Sequence, residues 1–202
     1  MAREAEPRFS LLMILVLYVG TGAATKYQPS SDHDGIVFVK TSCNSTTLYP
    51  NLCMQSLLPY ATQIHQSPRQ LVLFALSVSK SRTRSAKTFV SKLKERKNLK
   101  PREYEGIAEC LNQMSDSMYY LGKSVRQLRK TKAKGQRQAN GKDYSRRTSA
   151  AKAWVNAALT DDETCLDGFA DRTLVKDLIH SKIVNAAQHT SNALALLNKF
   201  VY

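Results

Sequence analysis

The side chains best able to take part in chemistry are those of four cysteines. They are Cys43, Cys53, Cys110 and Cys165. Thiolates can act as nucleophiles or zinc ligands, or the four can pair as two disulfides. The four histidines are scattered, and although Asp177 and His180 share a helical face, two ligands do not make a metal site. No nucleophile elbow, phosphate-binding glycine loop or His-Glu-x-x-His motif occurs. The sequence therefore predicts no catalytic residues, no metal and no cofactor.

The N-terminus has the pattern of a secretory signal peptide. Arg3 and Arg8 precede an apolar run at 11–19, and small residues follow at 20–24. The alternative, a membrane anchor, is disfavoured because the run is too short to span a bilayer comfortably and no second run exists. We expect residues 1–24 to be removed, and the mature protein to be secreted and free of the membrane.

Secretion favours two disulfides, because an oxidising compartment promotes thiol pairing. Four cysteines allow three pairings. Cys43 and Cys53 flank a segment rich in turn and cap formers, so we expect them to close a small helical hairpin. Cys110 and Cys165 are equidistant from the middle of a polar loop predicted at 131–142. If that loop joins antiparallel helices, these two cysteines should be neighbours.

One possible modification site lies beside the first of these cysteines. Asn44-Ser45-Thr46 is a sequon for N-glycosylation. The adjacent Cys43 could hinder the transferase, so Asn44 is a candidate whose occupancy stays open.

Hydrophobic periodicity predicts helices and no strand of any length. A helix is expected over 67–97, because Ser-Pro-x-Gln at its start supplies an N-cap, a first-turn proline and a capping box. The next helix opens at Pro101, and its apolar residues alternate at steps of four and three. A third helix is expected over 143–168 and a fourth from a cap at Asp171. The predicted inner side of the third helix consists of Ala150, Trp154, Ala157, Ala158 and Cys165.

These elements predict the fold class and the domain limits. Four helices joined by short loops make an all-α, up-down-up-down four-helix bundle, here with an N-terminal disulfide-closed helical hairpin. The polar segment 25–35 is expected to be flexible. The folded domain should then span residues 36–202 as a single unit.

Charge is segregated along the chain, whose formal net charge is +14. Residues 80–102 carry ten basic residues and one acidic residue, and residues 123–152 carry eleven and one. The stretches 103–121 and 153–171 are acidic and should lie side by side. They are either solvated helix faces or a docking surface for a basic partner. The basic segments could bind a polyanion, but nucleic acid is disfavoured because no base-reading motif appears.

Three stretches match motifs of a known family. The predicted hairpin reads Ser-Cys at 42–43 and Thr-Leu-Tyr-Pro-Asn-Leu-Cys at 47–53, and Cys110 is followed by Asp116. Residues 154–169 read Trp-Val-Asn-Ala-Ala-Leu-Thr-Asp-Asp-Glu-Thr-Cys-Leu-Asp-Gly-Phe. Together these stretches resemble the plant invertase and pectin methylesterase inhibitor family over nearly the whole mature chain.

The resemblance implies a secreted protein of the apoplast and cell wall that binds one-to-one over the active-site cleft of pectin methylesterase or acid invertase. Invertase inhibitors often carry Pro-Lys-Phe before the third helix, whereas this chain reads Gly-Lys-Asp-Tyr-Ser at 141–145. Pectin methylesterase is therefore the expected partner, and acid invertase is the alternative. Acidic pectin is a further candidate ligand, so a basic pectin-binding wall protein without inhibitory activity is a third possibility.

The resemblance also implies which residues contact the enzyme. The carried-over positions are Asn112, Asp116 and Tyr119 on the second bundle helix, and Thr164 and Asp167 on the third. The first three are spaced by four and three residues and therefore share one helical face. Asn112 and Tyr119 stand where relatives often have carboxylates, which bears on affinity and on the choice of target. Tyr119 could instead serve as an apolar anchor, since tyrosine is favoured at interfaces.

Overall fold

Proline is the first residue of four of the seven α-helices described in the computed structural model. Proline suits the first helical turn, because its missing N–H would have no intrahelical acceptor there. The structure describes residues 29–131, 141–169 and 173–200, and no strand occurs within those ranges. The helices are α1 (Pro29–Thr46), α2 (Pro50–Leu57), α3 (Ala61–Ile64), α4 (Pro68–Leu93), α5 (Pro101–Lys130), α6 (Gly141–Thr164) and α7 (Leu174–Phe200), with a 3-10 turn at Leu58–Tyr60.

The four long helices form the predicted up-down-up-down bundle. Each of α4 to α7 packs against its neighbours in the chain, and α7 closes the ring against α4. Side-chain caps begin two of them: Ser67 Oγ accepts from the Gln70 amide at 3.3 Å, and Thr173 Oγ1 accepts from the Lys176 amide at 3.2 Å. Among the described residues, no helix combines the length and the apolar composition needed to cross a membrane.

The N-terminal helices form a hairpin that rests on one end of the bundle. The Cys43–Cys53 disulfide joins α1 to α2, as predicted. Gly35 lets α1 approach α3 closely, because a Cβ there would lie only 2.5 Å from the Ala61 carbonyl oxygen. Asn192 of α7 fixes the turn: its Oδ1 accepts from the Tyr49 amide at 3.1 Å, and its Nδ2 donates to the Tyr49 carbonyl at 2.9 Å.

Several predicted boundaries need correction. The segment 25–35 was expected to be flexible, but α1 begins at Pro29, so residues 29–35 are helical. The first bundle helix ends at Leu93 rather than near Lys97, and α6 covers 141–164 rather than 143–168. The predicted signal peptide, 1–24, and the predicted cap Asp171 lie outside the described residues.

The inner side of α6 is rotated by about one residue from the prediction. Of the five predicted inner positions, only Ala158 and Cys165 are buried. Trp154 is half-buried at the side of the helix, and its neighbour Val155 is fully buried instead. The observed inner line has the four-and-three spacing of a bundle helix. It consists of Thr148, Ala151, Val155, Ala158, Asp162 and Cys165.

Two apolar cores fill the bundle, one at each end. The hairpin-end core includes Leu57, Leu71, Leu76, Leu121, Val155 and Leu196. The distal core includes Val90, Ile107, Cys110, Met114, Cys165 and Ile183. Its Cys110–Cys165 disulfide joins α5 to α6, with 4.2 Å between the two Cα atoms.

A polar layer separates the two cores. Each bundle helix contributes one fully buried side chain to it: Ser79, Ser117, Asp162 and Thr190. The Thr190 hydroxyl donates to Asp162 Oδ2 at 2.6 Å and lies 2.8 Å from Ser79 Oγ. Among the described residues, Asp162 Oδ1 has no hydrogen-bond partner. The layer therefore holds a carboxyl group inside the protein with only part of its hydrogen-bonding capacity used.

Burial shifts two ionisable groups in this region in opposite directions. It raises the pKa of Asp162 to about 6, against the lowering effect of the nearby Thr190 and Ser117 hydroxyls. It lowers the pKa of His189 to about 4, with a further contribution from the positive charge of Arg82. The stabilising contribution of neutral His189 is present above its ordinary pKa of about 6.5 and is lost as pH falls toward 4. The stabilising contribution of protonated Asp162 is present below its ordinary pKa of 3.8 and is lost as pH rises toward 6.

We predict that removing the distal disulfide destabilises the fold more than removing the hairpin disulfide. The Cys110–Cys165 bridge spans 55 residues and the Cys43–Cys53 bridge spans 10. Restriction of the unfolded chain then gives losses of about 4 and about 3 kcal/mol for the respective double Cys→Ala variants. Urea unfolding of the oxidised proteins measures both. An unchanged unfolding midpoint for the Cys110→Ala/Cys165→Ala variant would contradict this account.

We predict that Asp162→Asn changes the pH dependence of stability. In the wild type, the folded state holds the Asp162 proton between about pH 4 and 6, where the unfolded state has lost it. This contribution is complete below pH 4 and is lost by pH 7, a change of about 3 kcal/mol. The free energy of unfolding of the wild type minus that of the variant should therefore fall by about that amount from pH 4 to pH 7. His189 is present in both proteins, so its contribution cancels; a constant difference would refute the prediction.

Candidate functional site

Three of the predicted contact residues form an exposed line on α5. Asn112, Asp116 and Tyr119 are all exposed, and Tyr119 is 55% accessible. The opposite side of the helix is anchored in the interior by Cys110 and Met114, which are both fully buried. Because buried and exposed positions alternate with the helical period, burial of the inner side fixes which way these three side chains point.

The α6 helix supplies the second half of this face. Cys165 lies at its end and is held to α5 by the buried disulfide. Asp161 is half-buried, and Asp167 is exposed just after the helix. Thr164 is half-buried, and its hydroxyl donates to the Thr160 carbonyl at 2.9 Å. Of the two α6-side contacts implied by the family, Asp167 is therefore the more available to a partner.

Close backbone packing brings the end of α6 against the start of α5. A Cβ on Gly106 would lie 2.8 Å from Cδ1 of Phe169 and 2.9 Å from the Gly168 carbonyl oxygen. A Cβ on Gly168 would contact the side chain of Glu109 at 3.5 Å. These contacts leave no room for a side chain at Gly106. They place Asp167 next to the acidic first half of α5. We define the docking face as Asn112, Asp116, Tyr119, Asp161, Thr164 and Asp167.

The carboxylates of the docking face influence one another. Partial burial, together with the negative charge of Asp116, raises the pKa of Asp161 to about 6. Asp161 Oδ2 is buried and has no hydrogen-bond partner among the described residues. The negative charge of the face therefore grows as pH rises through about 6. Asp162, which belongs to the same acidic stretch in the sequence, is in the polar layer and is unavailable to a partner.

A lysine and two aromatic rings border the docking face, and the sequence analysis did not single them out as a group. Lys123 Nζ lies 5.1 Å from the ring centroid of Tyr119 and 4.5 Å from that of Trp154. Cation–π attraction therefore links α5 to α6 beside the face and restrains Tyr119. The sequence does contain a signal for this cluster. The antiparallel register that pairs Cys110 with Cys165 sets Lys123 opposite residues near 152, and therefore close to Trp154.

The remaining candidates form no site. Asp177 and His180 are both exposed on α7. No group of three or more metal-ligating side chains occurs within the described ranges. Asn44 is exposed near the end of α1, where its side chain is open to solvent.

Comparison with known proteins shows the family. The model of the plant invertase/pectin methylesterase inhibitor family matches residues 37–196, and the chain belongs to this family. It is 39% identical to pectinesterase inhibitor 9 of Arabidopsis thaliana over 197 residues, covering 95% of this chain and 92% of that protein. It is also 39% identical to the 21 kDa protein of Daucus carota over 195 residues, again covering 95% and 92%.

A solved structure shares the fold. It is a mutant form of a pectin methylesterase inhibitor from Arabidopsis, with a TM-score of 0.60 over 80% of this chain and 96% of that chain. At 16% sequence identity, this similarity extends to the fold alone.

We predict that Asp116→Asn lowers the pKa of Asp161. The substitution removes the negative charge of Asp116 but leaves the partial burial of Asp161 in place, so the pKa should fall from about 6 without reaching its ordinary value of 3.8. A pH titration of the carboxyl resonances by NMR measures this shift. Asp143→Asn is the control, because Asp143 pairs with Arg146 and Arg147 in the first turn of α6. Equal pKa values of Asp161 in the wild type and the Asp116→Asn variant would show that the two carboxyls do not interact.

Proposed function

We propose that this protein is a secreted inhibitor of pectin methylesterase that binds one-to-one across the active-site cleft of the enzyme through the docking face. One observation carries the proposal: the helices α5 and α6, held together by a buried disulfide, present an exposed polar and acidic line at the positions implied by the family. The names of the relatives support the choice of target: a relative that is 39% identical is named as an inhibitor of pectinesterase.

The geometry suits inhibition by occlusion. The docking face lies on helices whose inner sides are buried, so little conformational entropy is lost when it binds a partner. Tyr119 offers a large exposed ring beside Lys123 and can serve as an interface anchor. Asp116 and Asp167 are exposed carboxylates that would attract a basic enzyme and orient its approach. No group on this chain needs to react, since covering the cleft excludes the substrate.

The cellular location is part of the same proposal. Two disulfides and the signal-peptide pattern at 1–24 favour export, and pectin lies in the plant cell wall, so we place the protein in the apoplast. A glycan on Asn44 would occupy an exposed position on α1, a helix that contributes no residue to the docking face. Glycosylation is therefore compatible with inhibition.

Acid invertase is the second candidate target, because the family model covers inhibitors of both enzymes. The two types of inhibitor share one scaffold, so the fold does not separate them. The sequence Gly-Lys-Asp-Tyr-Ser at 141–145, in place of Pro-Lys-Phe, favours pectin methylesterase. Titration of the oxidised protein against both enzymes decides between them.

We predict that Asp116→Lys combined with Asp167→Lys weakens inhibition of pectin methylesterase at least about tenfold. Both side chains are exposed, so the change removes attraction to a basic partner without disturbing the core. The inhibition constant measured at mildly acidic pH and low salt reports the effect.

The matched control for this variant is Asp34→Lys with Glu95→Lys, which changes the net charge equally at exposed positions outside the docking face. This control should inhibit like the wild type. Equal weakening by both variants would assign the effect to overall charge rather than to the docking face. Loss of invertase activity alone in the wild-type titration would contradict the proposed target.

A further inference from the structure

A second charged surface lies between α4 and α5, next to the docking face but with no residue in common. Helix α4 carries six basic residues and no acidic residue, and the last 14 residues of α5, 117–130, carry four basic residues and no acidic residue. The helices pack side by side, and the groove between them has a volume of about 290 Å³. Its charged lining residues are Lys80, Arg84, Arg126 and Arg129. Like charges concentrated in this way cost free energy unless a counter-charge binds.

Two of these cations converge on one point of the groove floor. Gly122 lies in the middle of α5, where a Cβ would be 3.0 Å from Lys80 Nζ and 3.5 Å from a guanidinium nitrogen of Arg126. A glycine inside a helix is destabilising relative to alanine, and here its lack of a side chain lets both cations lie over the helix backbone. Within the described ranges, neither cation forms an ion pair with a carboxylate.

The groove continues along α4 toward the hairpin. A second depression of about 260 Å³ shares Ser77 and Arg129 with it, and ends at Arg69, whose Nη2 donates to the carbonyl oxygens of Leu128 and Arg129 at 3.1 and 3.0 Å. A third depression of about 460 Å³ shares Ser77 with both. It adds hydroxyl groups and an aromatic pair, Tyr60 and Phe74, whose ring centroids are 4.9 Å apart.

We propose that this α4–α5 groove binds an acidic polysaccharide, namely the demethylesterified pectin that pectin methylesterase produces. The choice of ligand rests on the proposed function. Hydrolysis of each methyl ester leaves a carboxylate on the sugar, so the product is a linear chain of carboxylates. Guanidinium and ammonium groups recognise carboxylates, serine hydroxyls can bond to sugar hydroxyls, and half-buried aromatic edges fit the apolar sides of the rings.

The shape and the chemistry favour a sugar polyanion over a single-stranded nucleic acid. Nucleic-acid grooves offer open aromatic faces on which successive bases stack. Tyr60 and Phe74 stack on each other, with an interplanar angle of 24°, so their facing surfaces are occupied. The adjoining third depression, between α4 and the N-terminal hairpin, presents Ser77, Ser81 and Ser85 and suits a polyhydroxylated chain instead.

The groove and the docking face adjoin on α5 but share no residue. Gly122 and Arg126 follow Tyr119 by three and seven residues, so they lie one and two turns beyond it on the same side of α5, where they line the groove against α4. Binding at the groove would hold the inhibitor on pectin that the enzyme has already processed, and a pectin chain that leaves Tyr119 uncovered would leave the docking face available. Inhibition would then be strongest where most product has accumulated.

The test compares binding and inhibition in two matched variants of the oxidised protein. The groove variant is Lys80→Glu with Arg126→Glu, and the control is Lys92→Glu with Lys182→Glu, which changes the net charge equally at positions outside the groove. Binding to immobilised polygalacturonate, to highly methyl-esterified pectin and to single-stranded DNA is measured between low and high salt. Circular dichroism checks that each variant folds. If the glutamate variants do not fold, glutamine replaces glutamate in both: Lys80→Gln with Arg126→Gln is then the groove variant, and Lys92→Gln with Lys182→Gln is the control.

We expect the wild type to bind polygalacturonate more tightly than esterified pectin or DNA, and to lose affinity as salt increases. The groove variant should bind polygalacturonate at least about tenfold more weakly than the control, while its inhibition constant for pectin methylesterase stays unchanged. Equal binding by the groove variant and the control, or tighter binding to DNA, would overturn the proposal. Binding through the groove by a protein that fails to inhibit would overturn only the proposed function, so the two failures are distinguishable.

Discussion

The register between α5 and α6 is the constraint on which the rest of the structure depends. The Cys110–Cys165 bond fixes it inside the distal core, with the two Cα atoms 4.2 Å apart. Once this register is set, Asp116 lies beside Asp161, Lys123 reaches Trp154, and the segment around Asp167 packs on the start of α5. The docking face therefore exists only because two distant parts of the sequence are held side by side, and the bond restricts mainly the unfolded chain.

The polar layer gives the bundle a second kind of constraint. Buried hydroxyls and the Asp162 carboxyl align the four helices at one level, where apolar side chains alone would allow small shifts along the axes. The arrangement has a cost, since a buried carboxyl is stable there only when it keeps its proton. Because this proton is retained up to about pH 6, the layer is best suited to an acidic environment. The pKa of Asp161 on the docking face is raised in the same direction, to about 6.

Much of the fold could be predicted from the sequence, because proline and serine mark the helix starts and the spacing of cysteines reports an antiparallel pair. The burial of Asp162 was missed, although stepping back from Cys165 by three and four residues leads to Asp162, Ala158 and Val155. An acidic residue in such a line resembles a surface residue until a partner such as Thr190, 28 residues away, is known. The α4–α5 groove was equally hidden, because composition shows that the segments are basic but not that Lys80 and Arg126 meet over Gly122.

Oxidative footprinting of Tyr119 tests the central claim most directly, because it reports whether the docking face is covered when the enzyme binds. Tyr119 is 55% exposed, and Tyr49 at the hairpin turn is 38% exposed and serves as an internal reference of the same chemistry. Hydroxyl radicals would be generated in the free protein and in its complex with pectin methylesterase, and the oxidation of each tyrosine measured by mass spectrometry. The account predicts that Tyr119 becomes protected in the complex while Tyr49 does not. Equal oxidation of Tyr119 in the free and bound protein, in a sample with stoichiometric inhibition, would contradict it.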